Sequence, residues 1–227
     1  MSARKIKVDL FYDVISPYAW ITFEALTRYS NVWKSMDLRL NPILLGVVFK
    51  AVGTSAPIPA RSKYSKVDLR LMTDYYNLPF RRPENVNHVL FGKGSLQPQR
   101  LLTAVRYSAP GYLEPLSRDL FLRIWSKDLD ATSPSSLASS CHAVGISSDR
   151  TKALLRDMSS DGIKTRLKET TALALEHGAF GVPTYVVHLD TGPVMLFGSD
   201  RLFILAHMLC EHWPGALNEL RSVKKSL

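Results

Sequence analysis

Cysteine is nearly absent from this chain, with 2 in 227 residues. That count excludes a disulfide-stapled scaffold, and Cys141 and Cys210 lie too far apart in sequence to form a Cys-x-x-Cys pair. Long hydrophobic runs are missing too. No segment approaches the roughly 18 apolar residues of a spanning helix, and no charged start leads into an apolar stretch and a small-residue cleavage site. The sequence therefore reads as a soluble, intracellular protein without a membrane span. Metal-ligand spacing is also lacking: the six histidines show no i, i+4 pair, so no metal site is expected.

Blocks of like charge are absent as well, although the net charge is +9 from 29 Lys+Arg and 20 Asp+Glu. Residues 1–50 hold 7 basic and 4 acidic side chains, 51–110 hold 9 and 3, 111–177 hold 9 and 9, and 178–227 hold 4 and 4. The excess lies in the first half, dispersed over Arg61, Lys63, Lys66, Arg70, Arg81, Arg82, Lys93, Arg100 and Arg106. Tracking a phosphate backbone needs clustered cations, so no nucleic-acid partner is expected and a small anionic ligand fits better.

What is present is a hydrophobic fraction of 46%, at a length that suits one large domain or a domain with a sizeable insertion. Ile6, Val8 and Leu10 alternate with Lys7 and Asp9, the period-2 pattern of a strand. Ser16-Pro17 starts a helix, Ser as N-cap and Pro at the first helical position, and Trp20, Phe23, Leu26, Tyr29 and Trp33 form its apolar face. A second strand is expected at Leu38–Leu44, completing a βαβ unit. Residues 46–62, with Gly53, Thr54, Ser55, Pro57 and Pro59, read as a loop.

Helical patterns then run to Gly178, including Gly94-Ser95 before Leu101 and Ser133-Pro134 before Leu137. Thr184 to His188, Asp190-Thr191-Gly192 and Val194 to Phe197 read as a hairpin. Gly198-Ser199-Asp200 caps a last helix carrying Leu202, Leu205, Met208 and Leu209. The order βαβ, helices, ββα is an α/β, thioredoxin-like fold with a large all-helical domain inserted between its halves. Residues 1–50 and 178–227 form the thioredoxin-like domain and 51–177 the insertion.

In such a fold the reactive position lies between the first strand and the first helix, where backbone N–H groups and the helix dipole converge on an anion. A redox member carries Cys-x-x-Cys there; this chain carries Ser16-Pro17-Tyr18-Ala19. Ser16 reads either as a plain N-cap or as a hydroxyl donor. Val182-Pro183 reads as a turn proline or as the cis-proline facing the reactive loop, and Ser199-Asp200 as a helix cap or as ligand contacts. Gly92-Lys93-Gly94-Ser95 lacks the first glycine of a phosphate loop, since Asn87 stands five before Gly92, and reads as a turn and helix cap. Trp125 and Trp213 read as core.

Leu10 to Trp20, Lys168-Glu169-Thr170-Thr171, Gly178 to Pro183 and Leu196 to Arg201 together resemble the kappa-class glutathione transferases, relatives of 2-hydroxychromene-2-carboxylate isomerase and of DsbA-type oxidoreductases. The resemblance spans nearly the whole chain. It implies that Ser16 hydrogen-bonds the glutathione sulfur, with Pro17 and Tyr18 shaping that end of the site. It further implies that the Val182 backbone, before Pro183, pairs with the cysteinyl part, that Ser199 and Asp200 hold the γ-glutamyl end, and that Thr54 and Arg61 reach the glycine carboxylate.

The activity implied is conjugation of glutathione to small electrophiles, a detoxification chemistry, with peroxidase activity beside it. Alternatives are a glutathione-dependent isomerase and a non-catalytic thioredoxin-like chaperone or scaffold. Glutathione is a co-substrate and no resident cofactor is implied. The family also implies a homodimer in mitochondria or peroxisomes, although Arg4, Lys5 and Lys7 are sparse for a presequence and Lys225-Ser226-Leu227 has the wrong order for a peroxisomal signal.

Overall fold

The alternation in the first ten residues becomes the inner strand of a four-stranded sheet. The computed structural model describes residues 5–53 and 59–217. Strand β1 (Ile6–Tyr12) pairs in parallel with β2 (Met36–Pro42), from Ile6 against Met36 to Tyr12 against Pro42. It pairs antiparallel with β3 (Thr184–Leu189), which turns through Asp190-Thr191 into β4 (Gly192–Phe197), giving the order β2-β1-β3-β4. Helix α1 (Pro17–Tyr29) makes the crossover between the parallel strands. This is the expected thioredoxin-like order, with a series of helices from Leu45 to Glu176 lying between β2 and β3 in the chain.

Helix α1 is buried from Ala19 to Tyr29, polar residues included. Its charged members are therefore paired: Glu24 receives Trp20 Nε1 at 3.2 Å and Arg118 Nε at 3.0 Å, and Arg28 donates to the carbonyls of Ala216 and Tyr76, both at 2.9 Å. One face of α1 packs on the sheet and another on α5 (Leu113–Trp125), where Phe121 meets the rings of Tyr12, Trp20 and Phe23. The inserted helices thus share one core with the sheet.

Three expectations are corrected. The second strand begins two residues earlier than Leu38 and ends at Pro42. The 46–62 stretch is not a loop throughout: α2 (Leu45–Ala51) follows at once and α3 (Pro59–Tyr75) begins inside it. Tertiary bonds set α2, because Asp13 Oδ2 accepts the Leu45 N–H at 2.9 Å and Thr171 Oγ1 accepts the Leu44 N–H at 3.2 Å. The last helix, α9 (Leu202–Met208), starts after Arg201 and has no side-chain cap, so Ser199 and Asp200 precede it without capping it. Cys210 accordingly lies past the end of α9, in a left-handed turn at φ 54.

The remaining insertion comprises α4 (Leu96–Ser108), α6 (Pro134–Ala143), α7 (Ser148–Asp157) and α8 (Asp161–Glu176), with a π-helical turn at His88–Lys93. Ser133 caps α6 as its sequence predicts, accepting the Ser136 N–H. Ser95, expected to cap α4, bonds elsewhere. Among the described residues no helix is long and apolar enough to cross a membrane.

Gln99 of α4 fastens the insertion to the sheet. Its side chain, fully buried, donates to the Tyr12 carbonyl at 2.9 Å and the Ile43 carbonyl at 2.6 Å, the outgoing ends of β1 and β2. Gln99→Leu takes the Gln99 donor from the Ile43 carbonyl and leaves the Tyr12 carbonyl with the Ile43 N–H alone, at an expected cost of about 1 to 2 kcal/mol after allowing for loss of the unpartnered Oε1. Urea denaturation checks this; an unchanged midpoint would show the junction to be held by packing alone.

Candidate active site

The site begins where β1 hands the chain to α1. Pro17 occupies the first helical position, and Ser16 precedes it in extended conformation, accepting the Ala19 N–H on Oγ at 3.2 Å. The N-cap reading of Ser16 is therefore correct as far as it goes. The same hydroxyl donates to the Val182 carbonyl at 3.4 Å, a long bond. Ser16 is 7% exposed, and the Val182-Pro183 peptide bond opposite it is cis.

The hairpin brings the third segment to the same corner. Phe197 pairs with Thr184, and the Gly198 N–H donates to the Pro183 carbonyl at 3.0 Å. Ser199 follows, buried at 5%. Gly198 is at φ 96, and a Cβ there would stand 2.6 Å from Asp200 Oδ1, so the Asp200 carboxylate folds back over this glycine while Oδ2 takes a bond from Arg201 Nη1. Asp200 is exposed. Tyr18, half-buried, donates its hydroxyl to Asp68 Oδ2 of α3 at 2.8 Å.

Ser16, Pro17, Val182, Pro183 and Ser199 thus converge through the strand ends, with Asp200 on the rim and Tyr18 turned toward α3. Thr54 lies outside the described residues, and so does the side chain of Arg61. Cys141 and Cys210 are both free, and burial pushes the Cys141 thiol up to about 11. Among the described residues no three His, Cys, Asp or Glu side chains are grouped to hold a metal ion.

Asp13 escaped sequence reading. Its carboxylate is fully buried and accepts the Ile15 N–H at 3.1 Å, the Leu45 N–H at 2.9 Å and the Ser95 hydroxyl at 2.7 Å, while its carbonyl accepts the Ser16 N–H at 3.0 Å. Trp125 Nε1 donates to the Val14 carbonyl at 2.9 Å. The loop carrying Ser16 is therefore held from behind at Asp13 and Val14. An acidic residue three before Ser16 is visible in sequence, but its partners lie 32 and 82 residues away.

Burial raises the Asp13 carboxyl from 3.8 to about 6, against the lowering by its three donors. An acid whose folded value is raised adds stability below its unfolded value and loses it as pH rises through the folded one. Between pH 4 and 7 the wild type should therefore lose about 3 kcal/mol relative to Asp13→Asn. Urea denaturation of both proteins across that range measures the difference; a gap independent of pH would mean that Asp13 titrates normally.

Comparison with known proteins agrees with this geometry. Residues 7–209 match the DSBA-like thioredoxin domain. The chain is 41% identical over 212 residues to human glutathione S-transferase kappa 1, covering 92% of this chain and 93% of that protein. It is 31% identical over 224 residues to Caenorhabditis elegans glutathione S-transferase kappa 2, covering 96% and 98%. A solved 2-hydroxychromene-2-carboxylate isomerase superposes with a TM-score of 0.72 at 25% identity, covering 90% of this chain and 94% of that one. The Pseudomonas aeruginosa cytosolic disulfide reductase DsbM, solved with GSH, superposes at 0.62 with 14% identity, covering 89% and 98%. The Ser16 corner thus sits in a chain that belongs to the DsbA-like thioredoxin family and, within it, to the kappa-class glutathione transferases.

Proposed function

We propose that this protein binds glutathione and stabilises its thiolate at the N-terminus of α1, for attack on small electrophiles. The observation that carries the reading is the Ser16 hydroxyl, which keeps its cap bond from Ala19 while its own proton is held only by a 3.4 Å bond to Val182. A sulfur anion arriving at this corner replaces a long bond to a neutral carbonyl by a charge-assisted one.

The magnitudes suffice without a general base. A thiol of pKa about 8.5 is roughly 7% ionised at pH 7.4, and lowering it by about two units needs about 2.7 kcal/mol. A hydrogen bond to a charged group supplies roughly 1.5 to 3 kcal/mol, and a helix N-terminus about 0.3 to 2. The thiolate then attacks the electrophilic carbon of an aryl halide, the carbon–sulfur bond forming as halide leaves. Ser16 acts as a donor and is not itself the nucleophile.

In this reading the Val182 backbone beside Pro183 pairs with the cysteinyl unit, Pro17 and Tyr18 border the sulfur, and Ser199 offers its hydroxyl to the γ-glutamyl end. Asp200 exchanges Arg201 for the ligand's ammonium, and Thr54 and Arg61 serve the glycine carboxylate. The relatives named as isomerases favour a second reading, in which the same thiolate adds transiently to 2-hydroxychromene-2-carboxylate. Kappa-class membership also supports peroxidase activity, a mitochondrial or peroxisomal location and a homodimer. For the homodimer, Tyr64, Val67 and Leu71 supply an apolar stripe on α3, exposed at 66%, 48% and 57%.

Glutathione binding followed by conjugation to a generic aryl halide tests the proposal, and an isomerisation assay separates the second reading. Ser16→Ala should raise the pKa of bound glutathione by about one to two units and slow conjugation at pH 7 by about 3- to 25-fold, as the thiolate fraction falls. The rate should recover at alkaline pH, and Ser16→Thr should retain most of it. Unchanged thiolate absorbance in Ser16→Ala would leave Ser16 as a helix cap only.

A further inference from the structure

A second concavity, of about 270 Å³, opens between α3 and the segment that follows it, lined by Lys66, Leu69, Arg70, Phe80 and Arg82. Its floor is apolar: Leu69 is buried, and the half-buried Phe80 ring stacks on Trp125 at 6.1 Å. Its rim is three exposed cations. No carboxylate lines it, and among the described residues none of the three cations forms an ion pair.

The surroundings explain why the charge is left over. Asp68, next to Leu69 in sequence, spends its two oxygens on Tyr18 and Tyr64, away from the rim. Glu84 is engaged by Arg81 at 3.7 Å. Lys66 and Arg70 stand four apart on one helix face, a spacing at which like charges destabilise a helix. An anion seated between them relieves that repulsion while its apolar body covers Leu69 and Phe80. The volume lies near the lower limit of about 300 Å³ for ligand pockets, which restricts the body to a short alkyl chain or a single ring.

We propose that this cavity binds small amphipathic anions, a carboxylate or sulfonate head held by Lys66, Arg70 and Arg82 over an apolar body on Leu69 and Phe80. The inference stands apart from the glutathione reading, since none of these residues belongs to the Ser16 corner. The cavity nevertheless adjoins that corner. Phe80 stacks on the tryptophan whose Nε1 holds the Val14 carbonyl, and Asp68 holds Tyr18. Its occupant is either an electrophile bearing an acid group or a separate, non-reacting anion.

Calorimetric titration with octanoate, in the absence of glutathione, tests the site. Octanoate should bind at one site at least tenfold more tightly than octan-1-ol. Combined Lys66→Gln, Arg70→Gln and Arg82→Gln should weaken it at least tenfold with an unchanged circular dichroism spectrum, and Arg82→Glu alone should do so in part. Equal binding of the alcohol, or undiminished octanoate affinity in the triple variant, would overturn the proposal. Displacement of octanoate by 4-chloro-3-nitrobenzoate, with a KM for that halide raised in the triple variant, identifies the occupant as the electrophile. Octanoate binding that this halide does not displace identifies a separate anion.

Discussion

The carboxylate of Asp13 joins three chain segments. Ile15 belongs to the loop that carries Ser16, Leu45 to the first turn of α2 and Ser95 to the entry of α4, and all three donate to this one side chain. A buried carboxylate with fewer donors would be expelled or stay neutral, because an uncompensated charge in a low-dielectric interior costs several kcal/mol. Burial outweighs the three donors and raises the carboxyl above its ordinary value, but they place the carboxylate where it orders the loop. Gln99 and Trp125 repeat the arrangement with neutral groups, binding the carbonyls of Tyr12, Ile43 and Val14. The helical insertion is thus the rear wall of the Ser16 corner.

Much of the fold was legible because its signals are local. Alternation over Ile6 to Leu10 and the Ser16-Pro17 start need only their neighbours, as does the Asp190-Thr191-Gly192 turn, and each stands where its pattern put it. Helix α2 was not legible, because its first N–H groups are met by Asp13 and by Thr171, the latter 127 residues on from Leu44. Ser95 misled for the same reason: a hydroxyl before a helix reads as a cap, but this one is turned to Asp13. Ser199-Asp200 has the composition of a cap, yet the Asp200 carboxylate lies over Gly198 and on Arg201, and the helix waits until Leu202.

The corner itself is assembled by strand ends. Parallel pairing of β1 with β2 and antiparallel pairing with β3 deliver Ser16, Leu45 and Val182 to one edge of the sheet, the edge where open α/β sheets place their ligands. The hairpin adds Ser199 through the Gly198 bond to Pro183. A glycine suits that position, since φ 96 is a backbone conformation that side chains rarely adopt.

The poverty of cysteine takes its meaning from this geometry. Of the two thiols, Cys141 is buried in α6, where burial pushes it up to about 11, and Cys210 sits in the turn after α9. Neither lies in the three segments that form the corner. With a hydroxyl at position 16 the N-terminus of α1 carries no resident anion, so its favourable interaction with negative charge is kept for whatever arrives. A resident thiolate would occupy that end permanently and repel a second sulfur anion. Serine instead supplies a donor that is neutral at every pH the fold meets, and that asymmetry suits a site in which the sulfur belongs to the ligand.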